Sequence, residues 1–354
     1  MQCKLGEVQN PVWPGRTFFT TSVGGDMLPA AVYMPPNHNT SANMLNVLLF
    51  LHGFYVTSTA ALTDSDNCRL CEQVIASGKD IVLVAPWLGH KHGSGKENGV
   101  LQTDRLANAK YGERFLRAIL DALPAPSTAT LVASAAIGGV DAISGAGPIV
   151  KIPPPPKLEI KNLVVACHSA GGVAMRNIVG TLGGFEAKLR ECVGLDCLYN
   201  DGDAKFWHDR ADKGAPPTYV FFGPSTIPES VKLYLMAQGR ADADGNQREP
   251  PGRALGNLVV RPGHISSYMS GGVTTNVSSY IDRVADDLMA RAKPTAAAPG
   301  KKTAAKKGEF AEQAAENFRA GYIFPFGEDD ARGGIHYFIA RAFLLERLRS
   351  VSLP

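Results

Sequence analysis

Cysteine is scarce in this chain, with six residues in 354, too few and too irregularly spaced for a disulfide framework. Cys68 and Cys71 form a lone C-x-x-C with no second cysteine or histidine pair at zinc spacing, so they read as two small, half-buried thiols. No apolar run reaches the roughly 18 residues of a spanning helix. The nearest stretch, residues 130–150, is interrupted by glycines, Asp141 and Pro148. The basic start and apolar stretch of a secretory leader are also missing from residues 1–14. These absences lead to the expectation of a reduced, cytoplasmic protein with no membrane span. An excess of one charge is lacking too. Thirty-six Lys and Arg against 33 Asp and Glu give +3, and without Lys301, Lys302, Lys306 and Lys307 the balance is −1. A basic segment without aromatic platforms is ordinarily just solvated, so nucleic acid is not an expected partner.

What is present is a strand–helix rhythm. Arg16 to Ser22 and Leu28 to Met34 read as a hairpin across Gly24-Gly25-Asp26. Asn46 to Leu51, Ile81 to Pro86, Leu163 to Cys167, Cys192 to Leu198, Tyr219 to Phe222 and Leu258 to Arg261 are short apolar runs, suited to strands covered on both faces. Helical spacing appears over Asn67 to Ser77, Thr103 to Leu123, Gly171 to Leu182, Pro228 to Gly239, Val277 to Ala292, Glu309 to Arg319 and, with strong amphipathicity, Tyr337 to Leu348. The alternation predicts an α/β fold with a mainly parallel central sheet and helices on both faces. Residues 124–157, rich in Ala and Gly and closing on four prolines, read as an insertion and candidate lid. The stretch 266–330 reads as a second insertion containing the flexible linker 293–307. One elaborated domain over 1–354 is therefore expected rather than two.

The segment that carries chemistry is Asn162-Leu-Val-Val-Ala-Cys-His-Ser-Ala-Gly-Gly172. A buried strand runs into a small-residue turn and a helix follows at once. A serine at such a corner projects its hydroxyl beyond the carboxyl end of the sheet, close to the positive end of the helix. Here the sequence resembles the α/β-hydrolase superfamily, whose nucleophile elbow follows G-x-S-x-G. Ser169 and Gly171 match that pattern, and Cys167 stands in place of the first glycine. His52-Gly53-Phe54, directly after the third expected strand, resembles the superfamily's oxyanion loop, and the opening hairpin is similar to its first one. The resemblance implies a serine esterase or lipase-like hydrolase that needs no cofactor or metal and acts on a small-molecule or polymeric ester. It also implies an oxyanion hole made by the backbone N–H groups of Phe54 and Ala170, and catalytic partners in the order Ser, acid, His. His52 itself reads as a turn-stabilising histidine.

After Phe222 no acidic residue occurs before Glu229, so the commonest acid position is empty. Asp196 instead sits inside the apolar run 192–199, where a carboxylate is costly unless paired, and it is the preferred acid. Asp201 and Asp203, in what reads as a polar loop, are the alternatives. For the base, His336 lies on a glycine-bearing loop leading into the final helix and is preferred. His264, shortly after the last strand, is the alternative base. His38, His90, His92 and His208 read as surface or loop residues. Apolar, Gly-rich loops at the rim favour a hydrophobic acyl or aryl ester. An amidase, peptidase or acyltransferase using the same residues, or a silent binding protein on this scaffold, remain the competing readings.

Overall fold

The sheet starts with an edge strand that hydropathy does not announce. The computed structural model describes residues 3–9, 13–40, 42–54, 56–63, 68–89, 101–124, 157–263, 308–321 and 334–353. In it Lys4–Val8 (β1), largely exposed, pairs antiparallel with Arg16–Ser22 (β2). Ala30–Met34 (β3), Met44–Leu51 (β4), Val82–Pro86 (β5), Glu159–His168 (β6), Leu189–Leu195 (β7), Thr218–Phe222 (β8) and Leu258–Pro262 (β9) follow. The nine strands lie in the order β1-β2-β3-β5-β4-β6-β7-β8-β9. The strand ending at Leu51 is thus the fourth, not the third.

From β5 onward every neighbouring pair is parallel, whereas β1, β2 and β3 run antiparallel to their neighbours. The placement of β5 between β3 and β4 is a crossover. Consecutive residues Val47 to Leu51 and Leu163 to His168 are all buried. Because successive side chains point to opposite faces, both faces of these strands are covered, as the unbroken apolar runs predict.

The cover consists of Leu70–Ser77 (α1), Tyr111–Ala122 (α2), Gly171–Val179 (α3), Asp203–Asp212 (α4), Ile227–Ala237 (α5), Glu309–Gly321 (α6) and Gly334–Ser350 (α7). Several expectations change here. The helix expected over 103–123 is two pieces, a 3-10 turn at Asp104–Ala107 and then α2, because Lys110 turns the backbone to φ 57. The expected polar loop after Asp201 is instead α4, which buries Ala204, Trp207 and Ala211 at helical spacing. Cys68 and Cys71 are fully buried rather than half-buried, and all six cysteines are free thiols. The final helix is not simply amphipathic. It buries Ile339, Ala340, Ala342, Phe343, Leu344 and Leu348, since it packs against α1 as well as β7 and β8.

Helix α6, within the span expected as a late insertion, is tied to the body. Gly308 N–H donates to Asn246 Oδ1 at 2.8 Å, Ala311 N–H to Gly245 O at 3.1 Å, and Phe318 packs on Phe222. Helix α7 is held at its far end by Arg347. Its guanidinium pairs with buried Glu191 at 2.7 Å and lies 3.6 Å over the Tyr219 ring. All of the candidate lid 124–157 but its two end residues, the expected helix 277–292, the linker 293–307, His90, His92 and His264 lie outside the described residues. No helix among the described residues is long and apolar enough to cross a membrane.

Candidate active site

The site is built where β4, β6 and β7 end side by side. Ser169 follows β6 at φ 57, and Asp196 follows β7 at φ 46. Among the described residues only Arg69 and Lys110, each preceding a helix, are other non-glycine residues with positive φ. A side chain in this region costs about 1–2 kcal/mol, which is kept only where the surroundings enforce it. Here the enforcement comes from neighbouring strands, with Ser169 N–H donating to Leu195 O at 3.0 Å and Asp196 N–H to Phe221 O at 2.7 Å. The small residues of the elbow permit the corner. A Cβ on Gly171 would sit 2.3 Å from the Leu51 carbonyl oxygen.

Ser169 is thereby pressed against the loop after β4. A Cβ on Gly53 would come within 2.4 Å of Ser169 Cβ and 2.9 Å of its Oγ, so only glycine lets that backbone approach so closely. His52 holds this loop. Its Nε2 accepts Leu88 N–H at 2.8 Å, so the ring proton is on Nδ1, which donates to Gly53 O at 2.6 Å. The peptide is planar and trans, so fixing Gly53 C=O also fixes the opposite direction of Phe54 N–H. Ala170 opens α3 directly behind the serine.

Asp196 is 1% exposed, and both its carboxylate oxygens are engaged. Its Oδ1 accepts Gly223 N–H at 2.8 Å and the Thr226 hydroxyl at 2.6 Å. Its Oδ2 stands 2.6 Å from Nδ1 of His336, in the first turn of α7. Burial alone would raise this carboxyl. The His336 hydrogen bond and charge, with Thr226 and Gly223, outweigh it and hold it below the usual carboxylate range. His336 thus meets the acid preferred from sequence, 140 residues earlier in the chain. The alternative acids are engaged elsewhere or exposed. Asp203 is the first residue of α4, buried and paired with Arg176 at 2.9 Å, while Asp201 is exposed. His38 pairs with Asp80 at 2.6 Å, and His208 lies within α4 rather than in a loop.

Two further residues border the serine without having been singled out in the sequence. Tyr199 lines the same cavity as Ser169, and burial pushes its phenol up, keeping it protonated. His168, next to Ser169, is buried and packs its ring 4.1 Å from that of His336. A cavity of about 500 Å³ opens on Ser169 and Ala170, walled by Phe54, Leu101, Val173 and Tyr199. Phe54 and Tyr199, each 44% exposed, are two of the few large apolar side chains that face solvent among the described residues. Among the described residues no group of three or more His, Cys, Asp or Glu could hold a metal ion.

Burial, then the adjacent His336 ring, push the His168 imidazole down to about 3. The unfolded chain takes up a proton there below about 6.5 while the folded chain does not, so stability is lost as pH falls through that window. Urea unfolding is expected to show about 2 kcal/mol less stability at pH 5 than at pH 7 from this residue. The loss should be absent in His168→Leu; an equal loss in both proteins would contradict a buried neutral imidazole.

The sequence matches no protein-family model and no curated protein. Among solved structures, the feruloyl esterase module of Clostridium thermocellum overlaps 74% of this chain and 87% of its own, with 13% identity and a TM-score of 0.41. An acetyl xylan esterase from Paenibacillus sp. R4 overlaps 79% and 86%, with 12% identity and a TM-score of 0.34. An S-formylglutathione hydrolase from Agrobacterium tumefaciens overlaps 63% and 80%, with 14% identity and a TM-score of 0.32. The fold rests on the chain's own topology rather than on these overlaps. A sheet in this strand order, turning from β6 into a helix through a strained serine, is the α/β-hydrolase fold, and this chain is built on it.

Proposed function

We propose that this chain is a serine hydrolase of carboxylic esters carrying a hydrophobic acyl or aryl group. The observation that carries the reading is the Asp196–His336 pair, 2.6 Å apart, assembled beside the elbow whose serine is held at φ 57. Ser169 Oγ attacks the ester carbonyl carbon while His336 Nε2 takes its proton. Asp196 accepts Nδ1–H, keeps Nε2 free to act as the base, and stabilises the imidazolium that forms. The Phe54 and Ala170 amides donate to the oxyanion. The intermediate collapses as His336 returns the proton to the departing alcohol. Water then attacks the acyl-enzyme, giving its proton to His336, and the acid leaves as Ser169 is restored. None of these steps calls on a cofactor.

The apolar cavity walls support the hydrophobic substrate class, because burying such a group there removes apolar surface from water on both sides. The test uses the intact chain with a fluorophosphonate probe and a series of p-nitrophenyl esters beside matched anilides. Labelling mapped to Ser169, with esters turned over and anilides not, is the expected result. Failure to label Ser169 would overturn the serine mechanism, and preference for anilides would overturn the ester assignment.

A further inference from the structure

The reaction just described gives no work to His168, yet its partners are specific. Its Nε2 lies 3.0 Å from the backbone oxygen of His336. A carbonyl only accepts, so Nε2 carries the proton, and Nδ1 is left as an acceptor. Facing Nδ1 at 3.7 Å is Cys68 Sγ. Burial pushes that thiol up to about 12, so it stays an S–H donor. The backbone oxygen of Cys68 accepts Gln73 Nε2 at 2.6 Å, and the same nitrogen reaches Ala340 O at 3.3 Å. Two carbonyls of α7, one turn apart, are therefore held by side chains from β6 and α1.

The geometry points to His168 as a positioning residue that fixes where α7 presents the His336 imidazole to Ser169. The proposal rests on the serine-hydrolase reading. Its physical basis is the shortness of the route. His168 adjoins Ser169 in sequence, so its hydrogen bond to His336 O ties the nucleophile's own backbone to the backbone of the base. The Nδ1 bond to Asp196 restrains the ring, while the His168 bond restrains the main chain that carries it. Misplacement by about 1 Å can cost on the order of 100-fold in rate. The tie also has to be neutral. Among the described residues, the charged or titratable groups facing His168 are His336, Asp196, His52, Cys68 and Tyr337, whose ring lies 5.3 Å away, with Arg341 acting on Cys68. A second cation 4.1 Å from His336 would oppose the imidazolium formed during attack.

The experiment compares the full chain with His168→Leu, His168→Phe and His168→Gln, each checked for folding by circular dichroism. Leucine and phenylalanine remove the donor with less and with more side-chain volume, and glutamine keeps an N–H near the position of Nε2. The folded apolar variants are expected to lose about 100-fold in kcat on a p-nitrophenyl ester, with KM little changed. Fluorophosphonate labelling should slow by the same factor, and His168→Gln should recover most of it. An apolar variant with kcat within about twofold of the parent would overturn the proposal, as would His168→Gln falling as far as the apolar variants. Were both apolar variants unfolded, an active His168→Gln would support the donor role, and a folded but inactive one would overturn it. If the parent chain itself is not labelled at Ser169, the hydrolase reading fails. If it is labelled and the apolar variants match it, only the role of His168 fails.

Discussion

Replacement of Ser169 by alanine is expected to lower kcat for ester hydrolysis by about 10⁶ and abolish fluorophosphonate labelling. The methyl group leaves the cavity, the Asp196–His336 pair and the amides behind the serine in place, but no atom remains to form the acyl bond. The loss should therefore be accompanied by retained substrate-analogue binding. Stability separates two variants that are equally inactive. Ser169 stands at φ 57, a strain that alanine inherits and glycine does not. Ser169→Gly is expected to be about 1 kcal/mol more stable than Ser169→Ala by urea unfolding. Substantial activity in either variant would move the nucleophile elsewhere.

Asp196→Asn is expected to cost about 10⁴ in kcat with the backbone unmoved. The reason is a proton count rather than a lost charge alone. Gly223 N–H and Thr226 O–H both point at one oxygen of the side chain, so the amide oxygen of asparagine is held on that side. Its NH₂ group then faces His336 Nδ1. Two donors cannot face each other, so Nδ1 gives up its hydrogen and the ring proton moves to Nε2. That is the atom needed to accept the proton of Ser169. Asp203→Asn, which breaks the pair with Arg176 at a side chain bonded to Asn200 and not to His336, is expected to reduce stability and leave kcat unchanged. Steady-state kinetics on the two variants checks both, and equal loss in the two would argue that Asp196 matters only for folding.

The parts of the site readable in advance were those whose chemistry is local in the chain. The elbow is announced by a buried strand, a run of small residues and a helix within a dozen positions. Asp196 is announced by its cost, a carboxylate set in an apolar run. The rest depends on contacts between distant segments. His168 looks like an ordinary residue of the elbow until Cys68 and His336 are brought to its two nitrogens. Tyr199 gains meaning only from the corner it reaches. At the level of fold, β1 is missed because an exposed edge strand with Lys4 and Glu7 carries little apolar alternation, and its pairing is made by backbone. Helix α4 is missed because so few of its residues are apolar. The reverse error joined the turn at Asp104 to α2, where apolar spacing continues across a break in the backbone at Lys110.

Residue order also gives this molecule a history during synthesis. Ser169 and Asp196 are both synthesised by residue 196 and Asp196 gains its partners Phe221, Gly223 and Thr226 soon after, but the imidazole that joins them arrives 140 residues after the carboxylate. A ribosome-bound chain can therefore form much of the central sheet while Ser169 still lacks the imidazole proposed as its base. On the proposed mechanism, hydrolysis would begin only when α7 docks between α1 and the sheet, a contact of long sequence separation that is expected to form late in folding. Turnover measured during refolding would then report the docking of that one helix, and should lag behind the recovery of helical and strand signals from the rest of the molecule.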